Sequence, residues 1–188
     1  LAMVKEVEHL TINPADYAYE ITKTGKRDDS VENYRIHRQK QEGLYYVEYH
    51  PAGGDANVEH LLAALDYAVT LDQVEARIAP DQALFFINLT ADEARKIAEI
   101  TDDSAENDFR RSVSCVGSTI CQIGMQDSNG LLKDIFAYLE EKGVDTRKLP
   151  RLHISGCPHS CGTHQIGEIG FHGAVKLVDK KPMVAFIL

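Results

Sequence analysis

Apolar residues fall into short periodic runs from Tyr34 onward, whereas residues 1–30 are polar and aperiodic, with Lys23–Ser30 reading as a loop. Tyr45, Val47 and Tyr49 alternate with their neighbours, which predicts a strand. Pro51-Ala52-Gly53-Gly54 breaks it. Val58, Leu61, Leu62, Leu65 and Val69 then recur at helical spacing. Val74–Ile78 and Ala83–Leu89 read as strands, with Pro80-Asp81 turning between them. Thr90-Ala-Asp-Glu93 is a capping box opening a helix through Ile100. The order strand, helix, strand, strand, helix predicts an α+β sandwich of about 70 residues.

The polar stretch Thr101–Asn107 is a candidate linker. Beyond it, Ser112–Val116 and Arg151–Ser155 are strand candidates, and Ile166–Phe171 and Val184–Leu188 suggest more sheet. Leu131, Leu132, Ile135, Phe136 and Leu139 form one helical face, with Gly143 placed for a C-cap. The chain shows neither a low-complexity tract nor a solenoid repeat.

A length of 188 residues suits one ordinary domain or two small ones, and at 44% apolar residues a core can form. No apolar run approaches the roughly 20 residues of a membrane span, and no signal peptide is visible, so a cytoplasmic protein is expected, without a membrane partner. The net charge of −9 argues against a nucleic-acid partner. It suits a small anion only where cations are locally concentrated or supplied from elsewhere. The chain begins Leu1-Ala2-Met3 and stops on the apolar run Val184–Leu188, which reads as a piece of a longer polypeptide.

The four cysteines form two pairs. Five residues separate Cys115 from Cys121, three separate Cys157 from Cys161, and 35 lie between the pairs. Disulfides suit a secreted chain better. Structural zinc knuckles space their ligands by two to four residues, which the first pair exceeds. An iron–sulfur cubane is wider than a single ion and takes ligands from two loops, so a 4Fe-4S cluster fits the spacing better than either. Gly117, Gly156 and Gly162 flank the cysteines, where backbone N–H groups can approach sulfur.

The segments Cys115-Val-Gly-Ser-Thr-Ile-Cys121, Ile154-Ser-Gly-Cys157-Pro-His-Ser-Cys161-Gly and Gly167-Glu-Ile-Gly170-Phe171 together resemble the signature of siroheme nitrite and sulfite reductases. The stretch Arg35–Thr101, with Glu42-Gly43-Leu44-Tyr45 and Arg77-Ile-Ala-Pro-Asp-Gln82, resembles the ferredoxin-like half-domain preceding that signature. The resemblance covers about 155 residues, from Tyr34 to the end. It implies an α+β fold: an N-terminal extension over 1–30, a ferredoxin-like α/β sandwich over 31–104, and a mixed α/β siroheme/4Fe-4S-binding domain over 105–188, truncated at its C-terminus. It also implies that Cys115, Cys121, Cys157 and Cys161 ligate the cluster, and that Cys161 is shared with the siroheme iron. The implied reaction is the six-electron reduction of nitrite to ammonia or of sulfite to sulfide. The family commonly carries Asn where this chain has His159, a donor whose charge depends on pH.

Anion reduction needs cations over the cofactor. Arg110 and Arg111 precede Cys115 and are the catalytic candidates, set against the reading of a solvated pair at a strand start. Arg35, Arg38 and Lys40 form a basic strand face, and His164 and His172 are expected to be structural or surface groups. The resemblance implies that most of the substrate-binding cations lie on a second pseudo-symmetric repeat in the same full-length chain. The fragment alone is then inactive, and the full-length chain draws electrons from a donor such as ferredoxin or a reductase domain. Two other readings stand beside this one: a 4Fe-4S electron carrier without siroheme, and a structural zinc module.

Overall fold

A computed structural model describes residues 20–188 and resolves them into two four-stranded sheets. Most of the polar N-terminal stretch therefore lies outside the described residues.

The first sheet joins β1 (Ile36–Arg38), β2 (Tyr45–Tyr49), β3 (Glu75–Ile78) and β4 (Leu84–Leu89) in the order β1-β2-β4-β3, all antiparallel. Helices α1 (Val58–Ala68) and α2 (Ala91–Ile100) connect and follow the strands. The unit β2-α1-β3 is a split crossover with β4 inserted between its strands, the ferredoxin-like arrangement. Strand β1 closes the far side of β2. Its three residues fall within the basic strand face expected at Arg35, Arg38 and Lys40.

Alternation works as predicted at β2: Tyr45, Val47 and Tyr49 are fully buried, alongside Phe86, Leu89, Ala94 and Ile97. On α1 the expected apolar face is only half right. Leu61 and Leu65 pack inward with the buried Ala64 and Ala68, while Val58, Leu62 and Val69 are exposed. Small alanines allow the helix to sit close, and this rotates the larger side chains off the contact.

At the start of α2, the Glu93 carboxylate accepts the Thr90 N–H at 2.7 Å and pairs with Lys23 Nζ at 2.7 Å. Burial raises the Glu93 pKa, but the Lys23 and Thr90 donors outweigh it, and the net direction is down. A depressed carboxylate stabilises the fold above its unfolded pKa and loses that contribution as pH falls through the folded value. Glu93→Gln is therefore expected to cost about 1 kcal/mol at pH 7. Denaturant melts should show the difference from wild type closing as pH falls below about 4.

The second sheet, in the order β5-β6-β7-β8, contains β5 (Val113–Ser114), β6 (Leu152–Ser155), β7 (Ile169–Val178) and β8 (Lys181–Ile187). Strands β5, β6 and β7 run parallel, and β8 pairs antiparallel with β7. Helix α3 (Ser128–Glu141) makes the crossover from β5 to β6. Its buried Leu132 and Phe136 pack with Phe109, Leu152 and Ile154. The predicted cap is present: Gly143 has φ 64°, and the next residue, Val144, donates its N–H to Leu139 O. Asp179 and Lys180, with φ 50° and 62°, turn β7 into β8 with the positive-φ pair of a tight hairpin.

Candidate functional site

Both cysteine pairs lie just past the carboxyl ends of neighbouring parallel strands. Cys115 follows β5 directly and Cys157 comes two residues after β6. Open α/β sheets place their ligand sites at this edge, because each loop there leaves the sheet on the same side. Parallel pairing thus brings together two motifs that are far apart in sequence.

The loops also bind each other. Cys115 N–H donates to Ile154 O at 3.0 Å, and Gly156 N–H donates to Cys115 Sγ at 3.1 Å. Gly156 O accepts the Met125 and Gln126 N–H groups at 2.9 and 3.0 Å, and Gln126 O accepts the Ser118 N–H at 2.9 Å. This contact leaves no room for side chains. A Cβ on Gly156 would lie 2.6 Å from Gln126 O, and one on Gly117, whose φ is 63°, 2.6 Å from Ser128 N.

Ser128 opens α3 beneath Cys115 and is fully buried. Its Oγ donates to Cys115 O at 2.8 Å and lies 3.1 Å from Cys115 Sγ. With its one proton committed to the carbonyl, the hydroxyl can accept from a neutral thiol. Toward a thiolate it must turn that proton onto sulfur.

On the second loop, Ser155 Oγ accepts the Gly162 N–H at 3.1 Å and contacts His164 Nδ1 at 3.0 Å, while His153 Nδ1 contacts Thr163 Oγ1 at 2.8 Å. His164 and His172 stack with centroids 4.7 Å apart. Burial and the neighbouring His172 lower the His164 pKa.

All four cysteines are free thiols; Cys157 is buried and Cys161 is exposed. No three of the sulfurs converge within 4.8 Å, and the one such set of potential ligands among the described residues is His60, Asp102 and Asp103 on the first lobe. His159 is exposed on the Cys157–Cys161 loop. Next to it, Ser160 has φ 61° and a buried Oγ without a partner. Free thiols on two facing loops, an N–H already aimed at sulfur and this orphaned hydroxyl fit a metal–sulfur group.

Arg110 and Arg111 diverge. Arg110 lies over the Phe136 ring at 4.7 Å and reaches Glu140 at 3.4 Å. Arg111 crosses to the first lobe and pairs with Glu48 at 2.5 Å and Asp81 at 3.1 Å. Arg35 is spent on the carbonyls of Ala98 and Glu48 and on Thr101, and Arg38 on Glu32. Burial raises the Glu48 pKa, and Arg111 opposes the rise. In Arg111→Met the carboxylate loses its partner, with an expected loss of about 2–3 kcal/mol at pH 7. A raised acid favours the fold at low pH, so the penalty should shrink toward pH 4; equal losses at both pH values in urea melts would exclude this account.

Sequence reasoning missed Ser128 and Gln82. Gln82 Nε2 donates to Ser114 O at 2.6 Å, and its Oε1 accepts the Ser114 N–H at 3.2 Å. It stood within a motif noted for its resemblance, but no local rule assigned it a task.

Two thiol-bearing loops at the carboxyl edge of a parallel strand pair form the candidate ligand site of this α/β segment. Over 144 residues the chain is 32% identical to the ferredoxin–nitrite reductase of Synechococcus elongatus, covering 74% of this chain and 28% of that protein. It is 30% identical over 110 residues to the NADPH sulfite reductase hemoprotein beta-component of Bacillus licheniformis, covering 53% of this chain and 19% of that one. The structure of the Mycobacterium tuberculosis NirA protein aligns with a TM-score of 0.69 at 22% identity, over 81% of this chain and 30% of NirA, a likeness of fold. No protein-family model matches. The chain is a homologue of the nitrite and sulfite reductases and spans about a quarter of the length of the curated relatives it matches. Among the described residues, no helix is long and apolar enough to cross a membrane.

Proposed function

We propose that this chain is the cofactor-holding segment of a siroheme-dependent nitrite or sulfite reductase. Cys115, Cys121, Cys157 and Cys161 would hold a 4Fe-4S cluster, with Cys161 shared with the siroheme iron. The observation that carries the reading is the direct contact of the two cysteine loops through the Gly156 N–H and Cys115 Sγ. When bound, the coupled centres would relay, one at a time, the six electrons from an external donor that take nitrite to ammonia or sulfite to sulfide.

The chain's own contribution is to hold and tune. Gly156 N–H supplies a hydrogen bond to a ligand sulfur, which favours its charged form. The Ser128 hydroxyl stands ready to add a second. His159, exposed on the Cys157–Cys161 loop, would be a further donor toward the cofactor. The half-domain over 31–104 carries the cysteine domain over 105–188, and the seam between them is closed by Arg111 and Gln82. Arg110 and Arg111 are already engaged, which supports placing the substrate-binding cations on a second repeat of the full-length chain. Ferredoxin or a reductase domain would deliver electrons, in the cytoplasm.

Anaerobic purification of the full-length protein with iron, acid-labile sulfide and zinc analysis, together with an absorption spectrum, tests the reading. Siroheme bands with about four cluster irons are expected. A cluster without siroheme would identify an electron carrier, and zinc would identify a structural module; either result overturns the proposal.

A further inference from the structure

Ser114, the residue before Cys115, is fully buried and is held from the other lobe. Strand β5 is an edge strand, so the outward N–H and C=O of Ser114 have no strand to pair with. The primary amide of Gln82 satisfies both, at 2.6 and 3.2 Å, in place of a missing neighbour. One residue on, Cys115 turns its N–H inward to Ile154 O on β6.

The first lobe is shaped to aim this side chain. Gln82 follows Pro80-Asp81 in the turn between β3 and β4, and its φ is 68°. A left-handed non-glycine residue costs on the order of 1 kcal/mol and persists only where its surroundings hold it. Gly54 packs beneath it: a Cβ there would lie 3.1 Å from Gln82 Nε2. Gly53 closes the other side, where a Cβ would lie 2.7 Å from Ser114 Oγ.

We propose that Gln82 is a positioning residue for the Cys115 thiol, carrying the placement of the first lobe into the cysteine site. Only the identity of the group the thiol holds rests on the function proposed above. Without the amide, the outer edge of β5 opens to water, Cys115 gains freedom, and the Gly156 N–H contact to its sulfur weakens. A sulfur that loses an N–H donor stabilises the reduced cluster less, so the midpoint potential moves to more negative values.

The test uses Q82A and the near-isosteric Q82E, which sets a carboxylate oxygen against Ser114 O. Q39A serves as control, because Gln39 also makes a double hydrogen bond, donating to Asn88 Oδ1 and accepting the Asn88 N–H within the first sheet. In metal-free protein, Q82A should exchange the Ser114 amide roughly three- to tenfold faster than wild type, and Q82E, which keeps an acceptor for that N–H but loses the donor to Ser114 O, should fall between the two. Cys115 should also alkylate faster with iodoacetamide, and Q39A should match wild type in both. In cluster-loaded protein the Gln82 variants should have more negative potentials. Unchanged Ser114 exchange overturns the proposal. So does faster exchange with unchanged thiol reactivity and potential, which would mark Gln82 as a seam contact alone. If wild type takes up no cluster, the proposed function fails, while exchange and alkylation still decide the role of Gln82.

Discussion

Replacing Cys161 with serine is expected to empty the site and leave the fold standing. Cys161 is exposed, and its loop is held by other groups: the Ser155 hydroxyl on the Gly162 N–H, and His153 on Thr163. Exchange of an exposed sulfur for oxygen should move stability by less than about 0.5 kcal/mol. Iron binding should respond quite differently. A cubane held by four thiolates has no spare ligand, and serine is a poor substitute for a soft sulfur donor. Iron after anaerobic reconstitution should fall at least about tenfold from about four per chain. Cys161→Ser protein that keeps its iron and its absorption bands would remove this residue from the ligand set.

The cysteine spacing suggested a class of chemistry before any fold was known, because ligand count and loop width are local properties. What the sequence concealed is how the two loops meet. That depends on β5 and β6 being parallel neighbours, and β5 is two residues long, too short for any period. Arg110 and Arg111 look alike in the chain, yet one packs on Phe136 and the other reaches Glu48 across the lobe seam. Their difference is set by tertiary partners 26 and 63 positions away. The same holds for Gln82: a polar residue after Pro-Asp reads as turn chemistry, and its target is the main chain of Ser114. Long runs such as β2 and α3 were readable because their buried side chains repeat with the period of the element. On α1 that logic failed where alanines formed the contact.

A methyl group at position 173 should be more damaging than the loss of a cysteine. Gly173 lies on β7 against Gly156, and a Cβ there would come 2.2 Å from Gly156 O and 2.8 Å from its carbonyl carbon. These are main-chain atoms with no rotamer to relax into, so the loop itself must move. Gly156 makes three of the bonds that join the cysteine loops: its N–H to Cys115 Sγ, and its carbonyl to the N–H groups of Met125 and Gln126. Each such bond is worth about 1 kcal/mol, and buried groups left unpaired add to the cost. Gly173→Ala is therefore expected to destabilise the second lobe by about 4 kcal/mol, near the upper end for single substitutions. Because the displaced segment carries Cys157, iron uptake should fall in the same variant. Hydrogen exchange locates the damage. Residues 115–128 and 152–164 should lose protection together, while β2 and β4 of the first sheet keep theirs. Protection retained at the Met125 and Gln126 amides would show that the loops absorb the methyl group without parting, and that their contact is not what shapes the thiol site.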